Sequence, residues 1–316
     1  MLYLNTRSKI DTYTANMILR QELPEEAGLT LPLNVPVLDE EMLKTVASMS
    51  FADAVCHVLN IFFPGKITSW DISCALGRSP VRVDAISQKV LMGVLWDNRS
   101  KSAAHWINAL YSKLTDDAST IPTRWARIAI SVAFLFGLFT DSKLQQLDSV
   151  DFACAAGDME TVFAAWYARK MGLKIGTILC VCNENSNIWD FLHRGSLNTA
   201  AAAVSTALPE MDVQLPIYLE SLMYCVLGRE VVLQYTKTVE DAGVFALMEE
   251  QLVMLNEGMY ASVVGSSRVG DVIVSVSKTD NYSLDSYAAA VYGGIQDYRA
   301  KTGKNNYTLV WAKFSP

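Results

Sequence analysis

The fold is decided by residues 150–195, which read VDFACAAGDMETVFAAWYARKMGLKIGTILCVCNENSNIWDFLHRG. Apart from Asp151, the residues from Val150 to Ala156 are small or apolar, as in a buried strand, and they lead into Gly157. Apolar residues then recur at helical spacing up to Gly172, where a helix would end, and Ile175 to Val181 predicts a second buried strand. Strand, glycine turn, helix and strand in this order predict a βαβ unit of a parallel sheet, with the strand-to-helix turn facing a ligand crevice.

This stretch resembles the threonine synthases, which are enzymes that use pyridoxal phosphate (PLP). Members of that family carry a segment like PTGNFGD, a helix ending in AKKMGL, a strand and then NEN...DF...G. The counterparts here are AAGDMET, ARKMGL and NENSNIWDFLHRG. The resemblance implies a turn that holds the cofactor phosphate on backbone N–H groups. Gly157 is kept in that turn, but Asp158, Met159 and Glu160 follow it, so the phosphate turn is degenerate.

The acidic turn has two interpretations. Like unit charges about 4 Å apart repel by roughly 1–4 kcal/mol, so Asp158 and Glu160 would oppose a phosphate dianion. Acidic residues are also favoured in the first turn of a helix because they offset its dipole, and that role needs no ligand. A bound metal cation is the remaining alternative. The six cysteines and three histidines lack CxxC-type spacing, so the sequence predicts no metal site and reduced cysteines.

Composition narrows the class of protein. The chain has 316 residues, 51% of them hydrophobic and 19% charged, which predicts a folded globular protein with a large core. Its net charge is −7 and it has no block of Lys or Arg, so we expect no nucleic-acid partner. The longest apolar stretch, Ile128 to Phe139, is too short to span a bilayer, and the N-terminus does not read as a signal peptide. We therefore expect a cytoplasmic protein without a membrane partner.

The N-terminal region carries the resemblance further. The segments YLNTR, EEAGLTLP and SFADAVCHVLNIFFPGKI are similar in order and spacing to family patterns STRG, GGLYVP and SYxELAxxILxxF. The resemblance implies a threonine-synthase-type α+β unit over residues 1–88. Residues 89–316 would then form a reduced α/β large domain with a parallel sheet, of the tryptophan-synthase-β-like fold (PLP fold type II).

The catalytic lysine of the family has no counterpart in this alignment. When Gly93 to His105 (GVLWDNRSKSAAH) is set against the family pattern ELFHGPTxAFKD, Ala103 falls at the lysine that binds PLP as a Schiff base. A methyl group cannot form an imine, so the resemblance predicts that PLP and its chemistry are lost and that the chain has no cofactor. Lys101, two residues earlier, is the alternative amine, although an exposed loop lysine is its ordinary interpretation.

A substrate-binding lobe is also missing. In the family, a small lobe beginning with a TATSGDTG-like turn follows the lysine helix. Here only residues 115–120 separate that helix from Ser119 to Phe139, so we expect the lobe to be deleted near 115–120. Its removal is expected to expose apolar surface, which would favour a homodimer or a hetero-complex with another enzyme. Trp96, Trp106, Trp125 and Trp189 lie near that edge in the sequence, although most aromatic residues are simply core residues.

The C-terminal part also resembles the family. The segment YSLDSYAAAVYGGIQDYRAKTG is similar to the family pattern YxxDPHTAVxYAALxDYxxxTG, with Tyr287 in place of the histidine. The closing YTLVWAKFSP places Ser315 at the turn beside the cofactor ring. Independently of the resemblance, residues from Glu240 to Asn256 predict one amphipathic helix.

Three functional hypotheses follow. The first is a threonine-synthase-like pseudoenzyme in amino-acid metabolism that does not bind PLP covalently and serves as a scaffold or regulatory subunit. The second is a PLP-independent enzyme or small-molecule binder that uses the vacated cofactor pocket. Its acid and base candidates are Asp97, Arg99, His105, Asp158 and Glu160. The third is residual threonine-synthase-like lyase activity through Lys101.

Overall fold

The N-terminal unit is a small sheet covered by helices. In the computed structural model, residues 1–8, 12–20, 28–77, 81–95, 102–117 and 122–312 are described. The antiparallel strands are β1 (Leu2–Asn5), β2 (Thr12–Thr14) and β3 (Thr30–Pro32), in the spatial order β2-β1-β3. The helices are α1 (Ala15–Arg20), α2 (Glu40–Ala47), α3 (Phe51–Phe62) and α4 (Ser69–Leu76). Buried Tyr3 links the sheet to α3, because its hydroxyl donates a 2.6 Å hydrogen bond to the carbonyl of Phe62.

The central sheet positions the candidate site. Its strands are β4 (Arg82–Ser87), β5 (Val90–Val94), β6 (Val150–Ala155), β7 (Ile175–Cys182), β10 (Met259–Val263) and β11 (Thr308–Ala312). The spatial order is β10-β7-β6-β11-β5-β4, in which β4 is antiparallel to β5 and every other neighbouring pair is parallel. The predicted α/β fold with a parallel sheet is therefore confirmed. Because β4 precedes residue 88, the sheet includes a strand from before the proposed domain boundary, and that boundary stays a prediction.

Helices cover both faces of the sheet. The remaining helices are α5 (Ala103–Thr115), α6 (Arg124–Leu138), α7 (Ser142–Gln145), α8 (Glu160–Lys170), α9 (Asn187–Arg194), α10 (Leu219–Leu227), α11 (Arg229–Ala242), α12 (Glu249–Leu255), α13 (Ser266–Thr279) and α14 (Ser286–Thr302). A two-stranded pair, β8 (Ser196–Asn198) and β9 (Val244–Ala246), and a 3-10 turn at Pro209–Met211 complete the described elements. Helices α6 and α8 bury their apolar residues in one core, whereas α13 and α14 belong to a second core on the opposite face.

The βαβ prediction is confirmed in β6, α8 and β7. The single helix predicted over Glu240 to Asn256 is wrong, because α11 ends at Ala242 and is capped by Gly243, which has φ +68°. The next residues pair as β9 with β8, antiparallel, with Phe245 opposite Leu197. Residues that were expected to continue the helix therefore form a strand instead, because they pair with β8, which is distant in sequence.

Of the four tryptophans that lie near the lobe edge in the sequence, Trp106 and Trp125 are buried, Trp189 is half-buried, and Trp96 lies outside the described residues. Trp106 and Trp125 are each 1% exposed. The ring of Trp125 lies 5.2 Å from that of Tyr167 and 5.4 Å from that of Phe62, in edge-on arrangements. Trp106 and Trp125 belong to the core. Among the described helices, none is both long and apolar enough to cross a membrane.

Candidate functional site

In the turn between β6 and α8, the side chain of Asp158 forms a hydrogen bond with the backbone of the turn. Gly157 and Met159 have φ values of +43° and +70°, in the left-handed region. The Oδ1 of Asp158 accepts a hydrogen bond from the backbone N–H of Glu160 at 3.0 Å. This carboxylate therefore already engages one of the N–H groups at the start of α8, which are the groups that otherwise bind anions.

The side chain of Glu160 is buried in the core and forms an ion pair there. Its side chain is 3% exposed, and its Oε2 accepts hydrogen bonds at 2.8 Å from Nε and Nη2 of Arg127 on α6. Burial alone would lower the pKa of Arg127, but the charge and hydrogen bonding of Glu160 raise it above its ordinary value. The pair ties α8 to α6, and Glu160 does not line the cavity beside the turn.

A cavity of about 50 Å³ lies at the carboxyl edge of the sheet. It is bounded by the ends of β6 and β11 and by the starts of α8 and α14. Its lining residues are Cys154, Ala155, Ala156, Gly157, Asp158, Thr161, Glu210, Asp285, Tyr287, Ala288, Val291 and Trp311. The turn approaches the 3-10 segment so closely that a Cβ on Gly157 would lie 2.7 Å from the carbonyl oxygen of Glu210. Glycine is therefore needed at this position for both conformation and space.

Asp285 is an acid of the cavity lining with a raised pKa. It precedes α14, and its Oδ1 accepts hydrogen bonds from the backbone N–H groups of Tyr287 at 2.8 Å and Ala288 at 3.1 Å. Burial raises the pKa of Asp285 to about 6, and these hydrogen bonds only partly oppose the shift. The carboxyl group therefore gains or loses its proton in a mildly acidic range.

Two aromatic residues complete the lining. The hydroxyl of Tyr287 accepts a 3.2 Å hydrogen bond from the backbone N–H of Glu210, and burial raises the pKa of Tyr287. Trp311 is 5% exposed, and its ring packs edge-on against Phe152 with centroids 6.1 Å apart. Within the part of the chain that the structure describes, the buried Nε1 of Trp311 has no hydrogen-bond partner. A buried indole N–H without an acceptor is unusual, because burial removes its contact with water.

The residues predicted from the resemblance divide into three groups. Ala103 opens α5 and is fully buried, and His105, two residues on, is exposed. Gly157 and Asp158 line the cavity, whereas Met159 and Glu160 lie behind it in the core. Lys101, Arg99, Asp97 and Ser315 lie outside the described residues.

Several cavity residues were missed by the sequence reasoning. Asp285 carried a usable signal, since an aspartate just before a helical run is a common N-cap. Glu210 and Trp311 carried none, because neither is marked by spacing and both reach the cavity through contacts between elements distant in sequence. The meeting of strand and helix ends at one sheet edge is a property of the topology.

The described lining residues do not fit a phosphate dianion. None of them is Lys or Arg, and three of them, Asp158, Glu210 and Asp285, carry carboxyl groups. The cavity would hold only a few water molecules, at roughly 10–15 Å³ each. Nor does any group of three His, Cys, Asp or Glu residues in the described ranges have the arrangement of a metal site.

Comparison with known proteins connects this geometry to one family. A family model described as "Threonine synthase N terminus" matches residues 2–79. The threonine synthase of Methylobacillus glycogenes is 30% identical over 112 residues, which cover 34% of this chain and 23% of that protein. Human "Threonine synthase-like 1" is 22% identical over 216 residues, 65% of this chain and 29% of that protein. These matches thus span under a third of either relative.

Solved structures share the fold over the whole chain. The PLP-bound threonine synthase from Brucella melitensis matches with a TM-score of 0.88 and 18% identity, covering all of this chain and 89% of that one. Yeast threonine synthase matches with a TM-score of 0.86 and 14% identity, covering all of this chain and 87% of that one. The predicted PLP fold type II architecture is confirmed.

The expectation that the chain has no cofactor is contradicted by the same comparison. It was drawn from the position of Ala103 and from the acidic turn, and the solved structure with a TM-score of 0.88 is that of a PLP-bound enzyme. The relatives therefore point to PLP, while the lining of the 50 Å³ cavity does not offer a phosphate site among the described residues.

Proposed function

We propose that this chain, which is similar to the threonine synthases in its N-terminal region and in its fold, is a threonine-synthase-like pseudoenzyme. It makes no Schiff base at its lysine-helix position and acts by binding a partner protein. The observation that carries the proposal is Ala103. It is the first residue of α5 and is fully buried, where the resemblance puts the lysine. The next lysine of α5 is Lys113, in the last turn of the helix.

The proposal concerns the covalent bond. PLP is the cofactor that the relatives indicate, and its chemistry in such enzymes depends on an imine between the cofactor aldehyde and a lysine amine. A methyl group at Ala103 offers neither the amine nor a group that could exchange a proton with a substrate. PLP therefore remains the first ligand to test, with the bond to the protein as the quantity at issue.

An apolar surface supports the partner-binding role. Around α12 the side chains of Met248, Val253 and Met254 are 63%, 68% and 54% exposed, and Val37 nearby is 74% exposed. A groove of about 420 Å³ joins Met254 and Val37 to Val35, Trp166, Cys225 and Val226. Contiguous apolar surface of this kind is typical of protein interaction sites. We call it the α12 surface.

The charges around the α12 surface favour a partner with basic side chains. Glu249 and Glu250 flank the exposed methionines. Lys170 at the groove lies 4.0 Å from Glu257 and over the ring of Trp166 at 5.6 Å, so its charge is already balanced. The rest of the edge of the α12 surface is acidic, so it would attract a partner with a positively charged surface. A second copy of this chain would instead place like carboxylates against one another.

The absorbance of the purified chain during titration with PLP tests the covalent part. We expect the spectrum of free PLP without the band of an internal aldimine, because no lysine amine stands at the start of α5. The threonine synthase from Brucella melitensis, whose solved structure is PLP-bound, is the positive control under the same conditions. An aldimine band that saturates at one PLP per chain would contradict the proposal.

A second candidate function is small-molecule binding at the sheet-edge cavity, favoured by the indole N–H of Trp311, which has no acceptor in the described part of the chain. Of the acid and base candidates named from sequence, only Asp158 lines this cavity among the described residues. Asp285 and Tyr287 would act with it. Ligand binding in this cavity would not require an imine at residue 103, because Ala103 is not among the lining residues.

We further propose a reducing, cytoplasmic location. None of the six cysteines forms a disulfide. Burial raises the pKa of both Cys182 and Cys225 to about 12, which keeps these thiols protonated and unreactive. Such cysteines serve as small core residues.

A further inference from the structure

Helix α2 stands partly away from the rest of the protein. Of its eight residues only Val46 is buried. Just before the helix, the backbone N–H of Leu38 donates a 2.9 Å hydrogen bond to the carbonyl oxygen of Met171, which follows α8. At the end of the helix, Nε2 of Gln145 donates a 2.6 Å hydrogen bond to the carbonyl oxygen of Ala47. Between these two attachments lies a groove of about 400 Å³, which we call the α2 groove.

The α2 groove has the size of a ligand site and an apolar floor. Small-molecule sites typically occupy about 300–1,000 Å³. The floor is formed by the buried side chains of Phe139, Leu144 and Leu173, which belong to the same core as α6 and α8. The complete lining is Glu40, Leu43, Lys44, Ala47, Ser48, Phe139, Leu144, Gln145, Gly172, Leu173 and Lys174. None of these residues lines the sheet-edge cavity or the α12 surface.

The charged residues of the α2 groove lie at one end. Lys44 forms an ion pair with Glu40 at 2.6 Å in the first half of α2. The pKa of Glu40 is lowered mainly by its hydrogen bond to Lys44 and in smaller part by the charge of Lys174, so Lys174 faces the same end of the helix. This end therefore carries two ammonium groups and one carboxylate.

The opposite end is mostly apolar. Nε2 of Gln145 donates to the carbonyl oxygen of Thr140 at 2.7 Å as well as to that of Ala47, so α7 and the end of α6 meet the end of α2 there. Phe139 and Leu144, on either side of these contacts, supply the lining. The hydroxyl of Ser48 donates its proton to the backbone of α2, at the carbonyl of residue 45.

Charge and length together limit the class of ligand. With every charged lining residue counted, one positive charge is left over, because two lysines stand against one glutamate. A positive charge beside an apolar floor favours a ligand with one negative charge and an apolar tail. The lining positions of α2 run from Glu40 to Ser48, about 12 Å along the helix at 1.5 Å per residue, so the tail can be several carbons long.

We propose that the α2 groove binds a medium-chain monocarboxylate, with the carboxylate at Lys174 and the tail lying over Leu43 towards Phe139 and Leu144. In the middle of this path α2 comes close to the turn after α8, since a Cβ on Gly172 would lie 3.0 Å from Cδ1 of Leu43. The site goes beyond the partner-binding role of the α12 surface and does not depend on it, because the two share no lining residue.

Isothermal titration calorimetry of the chain with octanoate tests the proposal. Two probes separate the two features of the ligand: butyrate keeps the carboxylate on a shorter tail, and octylamine keeps the tail but reverses the charge. We expect saturable binding of octanoate. Butyrate should bind more weakly by about tenfold or more, because it buries fewer CH₂ groups. Octylamine should bind about tenfold more weakly, because its charge has the same sign as the net charge of the groove.

Two pairs of variants connect this binding to the α2 groove. Lys174→Gln should weaken octanoate binding by about fivefold and remove most of the preference over octylamine. Lys237→Gln removes an exposed lysine from α11 and should change neither affinity. Ala47→Phe places a ring in the groove and should abolish octanoate binding. Met42→Phe adds a ring to the same helix outside the lining and should leave binding intact.

Several results would overturn the proposal. These are no saturable octanoate binding, equal affinity for octylamine, equal losses in Lys174→Gln and Lys237→Gln, or octanoate binding that survives in a folded Ala47→Phe variant. A dimer in sedimentation that Ala47→Phe dissociates would show that a second copy of the chain covers the groove, which would also contradict a ligand site. If Ala47→Phe does not fold, the two lysine variants decide. The PLP titration tests Ala103 separately, so neither result determines the other.

Discussion

Replacing Arg127 with methionine should cost the protein about 3 kcal/mol of folding free energy, because a buried carboxylate would lose its charged partner. The side chain of Glu160 is 3% exposed, and its Oε2 lies 2.8 Å from both Nε and Nη2 of Arg127. For a chain of 316 residues, unfolding entropy of roughly 2.1 cal/mol/K per residue converts this loss into a fall in Tm of about 5 °C.

Urea denaturation of a double-mutant cycle measures the effect. Arg127→Met with Glu160→Gln should be more stable than Arg127→Met alone, because the buried carboxylate that has lost the Arg127 guanidinium is then uncharged. Arg194→Met is the matched control: its ion pair with Asp190 has 67% and 34% exposed side chains, so we expect a loss within about 1 kcal/mol. A cost for Arg127→Met as small as that of the control, or strict additivity in the cycle, would refute the structural role of Glu160.

Three further outcomes are expected from stability measurements. Gly157→Ala should destabilise the fold by about 1–3 kcal/mol in urea denaturation, because the residue has φ +43° and the new Cβ would lie 2.7 Å from the carbonyl oxygen of Glu210; an unchanged midpoint would contradict the close approach. Asp285 has its pKa raised from 3.8 to about 6, so its contribution to stability is present below 3.8 and is lost as the pH rises through 6. Asp285→Asn should therefore flatten the pH dependence of unfolding in this window, and a profile parallel to wild type would be evidence against the shift. Val253→Lys should change the unfolding free energy by less than about 0.5 kcal/mol, because the side chain is 68% exposed; a larger loss would place it in a core.

The architecture was predictable from the sequence because its signals are local and periodic. The apolar run into Gly157 and the helical spacing after it fixed β6, α8 and β7 without any knowledge of partners. The helix predicted over Glu240 to Asn256 failed at Gly243, where a left-handed residue and the pairing of β9 with β8 interrupt it. Local periodicity does not record such long-range pairing.

The candidate site was less predictable because its contacts are long-range. From the sequence, Asp158 and Glu160 were treated alike, with offsetting the helix dipole as their ordinary role and a ligand contact as the alternative. In the structure Asp158 caps the turn, whereas Glu160 pairs with Arg127, 33 residues earlier in the chain. The cavity likewise depends on Trp311 reaching the edge of β6, which only the strand order brings about.

The absence of an imine-forming amine is tested most directly by trapping. The chain is incubated with PLP, reduced with borohydride, and weighed intact by mass spectrometry, with tryptic peptides mapped for any adduct. We predict a mass equal to that of the unmodified chain, because Ala103 presents only a methyl group at the start of α5. A stoichiometric pyridoxyl adduct on a single lysine, Lys101 above all, would contradict the account.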